Sequence, residues 1–192
     1  MKLLEERIMA EGIVEGKSIL RVDGFLNCQV DTELMKAVAR DFAEHFHNQG
    51  ITKVVTIESS GITPALLTAM ELGVPLIILK KQPSKVVYPD LLQTLVASDV
   101  KETTYELTMS PLYMKDDDHC LIIDDFLANG ESAAGAVRLI RMAHATIAGA
   151  GFMIEKTFKQ GRNKLVETGI AVYSQVKVAS LEDGRIILQS KN

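Results

Sequence analysis

The sequence is poor in tryptophan, cysteine and positive charge and lacks long apolar runs, and each of these features argues against a class of protein. Among its 192 residues there is no tryptophan, there are only two cysteines, and Lys and Arg (21) are outnumbered by Asp and Glu (25). The formal net charge of −4 argues against a protein that binds nucleic acid through an excess of positive charge. No apolar run approaches the length of a membrane-spanning helix, so no membrane segment is predicted.

The two cysteines, Cys28 and Cys120, lie far apart and lack the spacing of a metal site. Both have apolar neighbours, so we expect two buried free thiols. Acidic side chains within the first seven residues argue against a targeting presequence, and we therefore expect a cytoplasmic protein. The run Asp116–His119 suggests a metal site, but contiguous acids ahead of an apolar segment favour a solvated turn, and no metal site is predicted.

What the sequence does contain is a series of short apolar segments that alternate with helical patterns. The segments lie at 53–57, 74–79, 120–123 and 146–154. Helices are predicted at about 63–72 and 131–143. This alternation is typical of an α/β protein whose parallel sheet is covered by helices on both faces. The length, with no repeat and no linker, predicts a single domain over 1–192.

Residues 1–30 are predicted to form most of a small hood above the end of the sheet. Apolar spacing predicts a helix over Lys2–Glu11 that ends near Gly12. Residues 18–30 are predicted to form a β-hairpin that turns near Asp23 and Gly24.

Capping and turn residues predict the next helix and the C-terminal end. Asp31 is predicted to cap a helix that extends to Asn48. Short strands are predicted at 170–173 and 176–179, with a hairpin partner at 186–188.

The segment Leu121–Ser132 carries the strongest functional signal. It combines a buried strand, the adjacent carboxylates Asp124 and Asp125, a loop of small residues and a helix start. The loop N–H groups, the helix N-terminus and the Ser132 hydroxyl suit a phosphate, and Gly130 permits close approach of the backbone. The two carboxylates would repel a phosphate but accept hydrogen bonds from sugar hydroxyls. Together these features favour a sugar phosphate.

This segment resembles the fingerprint of the type I phosphoribosyltransferases: an apolar strand, two acidic residues and a loop that often reads Thr-Gly-Gly-Thr. Ala128 and Asn129 stand where that loop usually has Thr and Gly. The sequence Asp-Asp-Phe-Leu-Ala-Asn-Gly is similar to the loop of the family's bacterial xanthine-specific branch. Further similarity to that branch lies in Leu20–Asn27 (LRVDGFLN), Ile57–Ile62 (IESSGI) and the pair 155–156, and extends along nearly the whole chain.

The resemblance implies a purine salvage reaction in which phosphoribosyl pyrophosphate transfers its phosphoribosyl group to N9 of xanthine. The products are xanthosine 5'-monophosphate and pyrophosphate. The resemblance assigns the catalytic role to Asp124 and Asp125. The phosphoribosyl pyrophosphate contacts that it implies are Ala128, Asn129, Gly130, Glu131, Ser132, Ser59, Ser60 and Lys81. For the lysine, Lys80 and Lys81 are both candidates, and the sequence leaves the choice open.

The same resemblance implies that Leu20, Asn27 and Lys156 line the purine. A lysine ammonium suits a base with two carbonyls and a low ring pKa, as xanthine has. Residues 83–115, which show no core pattern, are implied to form a flexible loop that closes over the substrates and excludes water. The family further implies Mg²⁺ bound through the pyrophosphate substrate, and a homodimer.

Alternative functions remain open. The first is salvage of guanine, hypoxanthine or adenine by a related transferase. The second is a transcriptional regulator that binds phosphoribosyl pyrophosphate, although only about thirty residues precede the first long helix and the net charge is negative. A dinucleotide-binding α/β protein is disfavoured, since no Gly-x-Gly-x-x-Gly follows an early strand.

Overall fold

The computed structural model describes residues 1–81, 90–97 and 103–190 and has a six-stranded sheet at its centre. The strands are β1 (Ile13–Glu15), β2 (Ile19–Arg21), β3 (Lys53–Ile57), β4 (Leu76–Leu79), β5 (Leu92–Ala97), β6 (Thr104–Met109), β7 (His119–Leu127), β8 (Thr146–Lys156), β9 (Val172–Ser180) and β10 (Ile187–Leu188). The helices are α1 (Lys2–Glu11), α2 (Thr32–Phe46), α3 (Ile62–Leu72), α4 (Glu131–Met142) and α5 (Gly161–Glu167).

The central sheet has the strand order β10-β9-β8-β7-β3-β4 and is parallel except for its edge strand β10. The predicted α/β class is therefore confirmed. After β3 the chain adds β4 on one side, and it later adds β7 on the other side of β3. The loops after β3 and β7 thus diverge at a reversal of strand order, which is where open α/β sheets bind ligands.

Helices cover both faces of the sheet, because each face carries its own apolar cluster. On one face, Phe42 of α2 packs in the cluster that contains Leu121 of β7. On the other, Ala136 of α4 and Leu165 of α5 belong to the cluster that contains Ile122. Successive side chains of a strand point to opposite faces, which is why a strand buried on both sides is continuously apolar.

The N-terminal hairpin differs from its prediction. β1 pairs with β2, and the turn lies at 16–18, where Gly16 has a positive φ of 61°. Residues Asp23–Asn27, predicted to contain the turn, instead form a π-helical turn. The predicted hairpin position is therefore wrong. The reason is packing, since the consecutive side chains Phe25 and Leu26 are both buried, which a strand with one face in solvent does not allow.

Residues 80–115 contain more structure than predicted. β5 and β6 form an antiparallel ribbon, and Val96 and Leu107 are buried in it. Val96 packs on α4 at Gly135, where a Cβ would lie 2.6 Å from Val96 Cγ2. The prediction that this stretch lacks core residues is wrong. Residues 82–89 and 98–102, within the predicted flexible loop, lie outside the described part of the chain.

Several predicted boundaries are confirmed. Helix α1 has the predicted bounds, and Asp31 caps α2 by accepting a 3.0 Å hydrogen bond from the Leu34 amide. Two features at the C-terminal end differ from the prediction. The predicted strands at 170–173 and 176–179 are replaced by one strand, β9, which begins at Val172, and α5 was not predicted.

Two side chains lie in surroundings that the sequence did not indicate. Cys28 is exposed, so the expectation of a buried thiol is wrong there, whereas Cys120 is buried as expected. Asp118 is also buried, and its carboxylate accepts hydrogen bonds from the Thr52 hydroxyl (2.8 Å) and the Lys115 amide (2.7 Å). Asp118 is therefore a structural residue at the start of β7 rather than part of a solvated turn.

Within the described ranges, no helix is long and apolar enough to cross a bilayer.

Candidate active site

A cavity of about 470 Å³ lies where the strand order reverses, outside the carboxyl ends of β3 and β7. It brings together residues that are separated by more than a hundred positions in the sequence. The predicted site residues on its wall are Ser60, Lys81, Asp124, Asp125, Ala128, Asn129, Gly130, Glu131, Ser132 and Lys156. The predicted residues Ser59, Leu20 and Asn27 are not among the described residues that line it.

The loop at 128–132 is held from behind by the start of α5. The Gly161 amide donates a 2.9 Å hydrogen bond to the Ala128 carbonyl. Gly130 has a φ of 76°, and a Cβ placed on it would lie 2.8 Å from Gly161 Cα. The two glycines therefore let two backbone segments touch, and the loop keeps its N–H groups near the N-terminus of α4.

Two further contacts fix the C-terminal end of this loop, where α4 begins. Lys164 of α5 forms an ion pair with Glu131. On the other side, the Tyr105 hydroxyl lies 2.7 Å from Ser132 Oγ, which joins the β5–β6 ribbon to the first turn of α4. Sequence analysis missed Tyr105, although Tyr105, Leu107 and Met109 alternate with polar residues in the pattern of a strand.

The two acidic residues after β7 differ in burial. Asp125 is half-buried, whereas Asp124 is only 8% exposed and accepts a 3.0 Å hydrogen bond from the Asp125 amide. Burial, together with the neighbouring charge of Asp125, raises the pKa of Asp124 well above its ordinary value. Gly61 leaves room for Asp124, since a Cβ there would lie 2.2 Å from Asp124 Oδ1.

The loop after β3 and the two lysines after β4 form the adjoining wall. Lys80 forms an ion pair with Glu58 (Nζ to Oε2, 3.2 Å), and the Lys81 amide donates to Glu58 Oε1 (2.7 Å). The side chain of Lys81 lines the cavity, with Nζ 5.8 Å from the ring centroid of Tyr105. Of the two candidate lysines, Lys81 is therefore the one on the cavity wall. Ser60 shares that wall, while Ser59 is exposed outside it.

The opposite wall is formed by the end of β8 and the hood. Lys156 Nζ donates a 2.7 Å hydrogen bond to the Ser18 carbonyl and lies 5.2 Å from the ring centroid of Phe126. Ser18, Ile19 and Phe126 line the cavity and were missed by sequence analysis. Phe126 could have been predicted as a site residue, because it directly follows the two acidic residues.

The two predicted hood contacts lie outside this wall. Leu20 is buried in the core next to Ile19, and Asn27 is exposed at the end of the π-helical turn.

A buried ion pair supports the same strand end. Glu155 is 2% exposed, and Arg162 donates to both of its carboxylate oxygens, at 2.7 and 2.5 Å. Burial alone raises the pKa of Glu155, but the hydrogen bonds from Arg162 and Ser174 outweigh it and hold that pKa below its ordinary value. Arg162 also donates to the Val172 carbonyl (3.0 Å), so the pair ties α5 to β8 and β9.

Comparison with known proteins identifies the family to which the chain belongs. Residues 29–179 match the family described as the phosphoribosyl transferase domain. Along the full 192 residues the chain is 53% identical to a xanthine phosphoribosyltransferase of Agathobacter rectalis, covering 100% of both chains. It is 50% identical over 186 residues to xanthine phosphoribosyltransferase 1 of Clostridium botulinum, covering 97% of this chain and 98% of that one.

Solved structures with the same fold are more distant in sequence. An adenine phosphoribosyltransferase from Thermoanaerobacter pseudethanolicus superposes with a TM-score of 0.76 at 21% identity, covering 91% of this chain and 99% of that one. One from Trypanosoma brucei, in complex with AMP, pyrophosphate and ribose-5-phosphate, gives a TM-score of 0.77 at 17% identity, covering 91% and 79%. At these identities the likeness concerns the fold.

Proposed function

The chain belongs to the phosphoribosyl transferase family, and on that premise we propose that it transfers the phosphoribosyl group of phosphoribosyl pyrophosphate to N9 of xanthine. The products are xanthosine 5'-monophosphate and pyrophosphate, as in purine salvage. The observation that carries the proposal is the single cavity that collects Asp124 and Asp125, the loop at 128–132, Lys81 and Lys156. Full-length similarity to relatives named xanthine phosphoribosyltransferase supports the choice of purine.

The proposed chemistry needs no protein nucleophile. The purine nitrogen attacks the anomeric carbon as the bond to pyrophosphate breaks, and positive charge develops on the ribose ring. The protein contributes by holding the two substrates in line and by stabilising that charge. Asp124 and Asp125 accept hydrogen bonds from the ribose hydroxyls, so their negative charge lies beside the ring.

The two phosphate groups of the substrate have separate proposed contacts. The ribose phosphate lies in the loop at 128–132, where backbone N–H groups, the Ser132 hydroxyl and the N-terminus of α4 converge. The pyrophosphate lies against Ser59, Ser60 and Lys81, whose ammonium offsets its charge. Support comes from the cavity wall, which contains Ser60 and Lys81.

Mg²⁺ fits this site as a companion of the substrate. Within the described residues there is no group of three or more His, Cys, Asp or Glu side chains able to hold a metal ion. Hard oxygen ligands would thus come mainly from pyrophosphate and water, and the residues that hold pyrophosphate, Ser60 and Lys81, would hold the ion through it. When bound, Mg²⁺ neutralises charge on the departing pyrophosphate.

Purine recognition is proposed for Lys156, Leu20 and Asn27. The Lys156 ammonium lies on the cavity wall next to Phe126, where it can meet a ring carbonyl. The roles of Leu20 and Asn27 are supported by their position in the hood and by the resemblance of residues 20–27 to xanthine-specific relatives.

We further propose how the rest of the chain contributes. Residues 1–192 act as one domain, and the hood of residues 1–30 covers the purine side, which the hydrogen bond from Lys156 to the Ser18 carbonyl supports. The segment 83–115 closes over the substrates and excludes water. Its described ribbon meets Ser132 through Tyr105, which supports this role.

Assembly as a homodimer in the cytoplasm completes the proposal. The exposed apolar side chains Met70 (68% exposed) and Leu112 (76%) support a partner surface. Two free cysteines support a reducing compartment. Sedimentation velocity measures the oligomeric state, and a monomer at micromolar concentration would exclude the dimer.

The test of the function is pyrophosphate release from phosphoribosyl pyrophosphate in the presence of xanthine, guanine, hypoxanthine or adenine. We expect the highest kcat/KM with xanthine. A preference for any other base would replace xanthine as the substrate while keeping the transferase. A lack of release with all four bases would remove the enzyme assignment.

A further inference from the structure

The hydroxyl of Thr56, in a strand of the central sheet, has no hydrogen-bond partner among the described residues. Thr56 is in β3 and is fully buried. Two other buried threonines are satisfied, since Thr68 Oγ1 donates to the Pro64 carbonyl (2.8 Å) and Thr108 Oγ1 to the Lys80 carbonyl (3.3 Å). A buried polar group without a partner destabilises the folded state. A functional role would explain why Thr56 has a hydroxyl at this position.

The unpaired hydroxyl lies near the carboxylate of Asp124, towards the carboxyl end of β3. A Cβ built on Gly61 would lie 2.5 Å from Thr56 Oγ1 and 2.2 Å from Asp124 Oδ1, so both oxygens converge on Gly61. The strand β3 that carries Thr56 is paired with β7, which carries Asp124. One oxygen is a hydroxyl that can donate a hydrogen bond and the other is a carboxyl oxygen that can accept one.

We propose that Thr56 is a positioning residue for the transfer reaction, and that its hydroxyl donates a hydrogen bond to the Asp124 carboxylate in the substrate complex. The proposal rests on the ribose contact proposed above for Asp124. The Asp125 amide donates a 3.0 Å hydrogen bond to the Asp124 carboxylate. When Asp124 turns to the ribose hydroxyls, a donor beneath it fixes the orientation of the carboxylate.

This role predicts that stability and activity respond differently to removal of the hydroxyl. Thr56→Val keeps the branched shape that suits a strand and removes only the unpaired group. Because the hydroxyl has no partner among the described residues, the Tm stays the same or rises. The value of kcat falls by about 10- to 100-fold, which is the range for a hydrogen bond to a charged group. The KM for each substrate changes by less than about threefold.

Two variants separate this role from a general effect on the core. Thr56→Ser keeps the hydroxyl, and we expect it to recover most of the lost turnover. Thr68→Val is the matched control, since it is also a fully buried threonine but its hydroxyl donates to the Pro64 carbonyl of α3. We expect Thr68→Val to lower the Tm and leave kcat near the parent value, the reverse of Thr56→Val.

A double-mutant cycle tests whether Thr56 acts through Asp124. In an Asp124→Asn background, Thr56→Val is expected to cost little further activity, measured in single turnovers. Full turnover in Thr56→Val, a fall in its Tm, or an additive loss with Asp124→Asn would each overturn the proposal. If Asp124→Asn alone keeps full turnover, the proposed role of Asp124 fails together with that of Thr56. If Asp124→Asn is impaired and Thr56→Val is not, only the role of Thr56 fails.

Discussion

Gly130 and Gly161 lie in direct backbone contact, so that a Cβ on Gly130 would fall 2.8 Å from Gly161 Cα and one on Gly161 would fall 3.0 Å from the Gly130 nitrogen. The phosphate loop is thus shaped by α5 behind it as well as by its own sequence. A bulky side chain such as Gly130→Val would meet α5 and would also be strained by the positive φ of Gly130. Gly161 is the better probe, because the positive-φ glycines do not include it.

Gly161→Ala is expected to displace the phosphate loop without opening the fold. A Cβ at this position would lie 2.4 Å from the Ala128 carbonyl oxygen, so the loop has to move. We expect kcat/KM for phosphoribosyl pyrophosphate to fall about 10- to 100-fold, since small misplacements of binding groups are costly. Steady-state kinetics with each substrate varied in turn measures this. Asn163→Ala, an exposed change on the same helix, is the control, and equal kinetics in both variants would show that α5 does not shape the loop.

Asp125→Asn is expected to lower turnover more than it weakens substrate binding. If the carboxylate meets the ribose hydroxyls most strongly in the transition state, kcat falls on the order of 10²-fold while KM changes far less. Asp117→Asn, an exposed acid ahead of the opposite end of β7, is the control for loss of one charge. A variant with unchanged kcat would show that Asp125 only shapes the loop.

Lys156→Ala is expected to lower kcat/KM for xanthine steeply. Asn27→Asp is expected to reduce the ratio of kcat/KM for xanthine to kcat/KM for guanine. Hypoxanthine lacks the 2-carbonyl of xanthine, so a site with donors for both carbonyls discriminates by roughly 10⁴-fold. The measurement is the ratio of kcat/KM for xanthine, guanine and hypoxanthine. Lys159→Ala, which removes another lysine that lines the cavity, is the control for loss of one positive charge. If both variants still prefer xanthine, Lys156 and Asn27 are not the purine contacts, but the enzyme assignment stands.

Arg162→Met is expected to destabilise the protein in a way that depends on pH. The lowered pKa of Glu155 means that its contribution is present above its unfolded pKa of about 4.3 and is lost as the pH falls through the folded value. Without Arg162 a buried carboxylate is left unpaired, at a cost of about 3 kcal/mol near pH 7. Burial then raises the pKa of Glu155, so protonation relieves the penalty as the pH falls.

Urea denaturation at several pH values measures this effect. The difference in free energy of unfolding between parent and Arg162→Met should be largest near pH 7 and smaller at low pH. Adding Glu155→Gln to the variant should recover part of the loss at pH 7. A difference that is constant with pH would assign the effect to lost packing of the arginine side chain.

The sequence could predict the phosphate loop because its parts are contiguous. The strand, Asp124 and Asp125, the small residues and the helix start follow one another within twelve positions, and each has a local pattern. The α/β class followed for a similar reason, since strands buried on both faces are continuously apolar. The hairpin turn at 16–18 was missed because the burial of Phe25 and Leu26, rather than the Asp23-Gly24 dipeptide, decides the path of the chain.

The sequence alone therefore determined the fold class, the family and the loop that follows β7, because local periodicity and a contiguous motif carry that information. The tertiary structure decided which of Lys80 and Lys81 faces the cavity, that Cys28 is exposed, and that Thr56 and Asp124 converge on Gly61. These relationships depend on which strands become neighbours and on where a glycine leaves room. No pattern within a single segment records them, because the contacting residues are brought together only when the sheet forms.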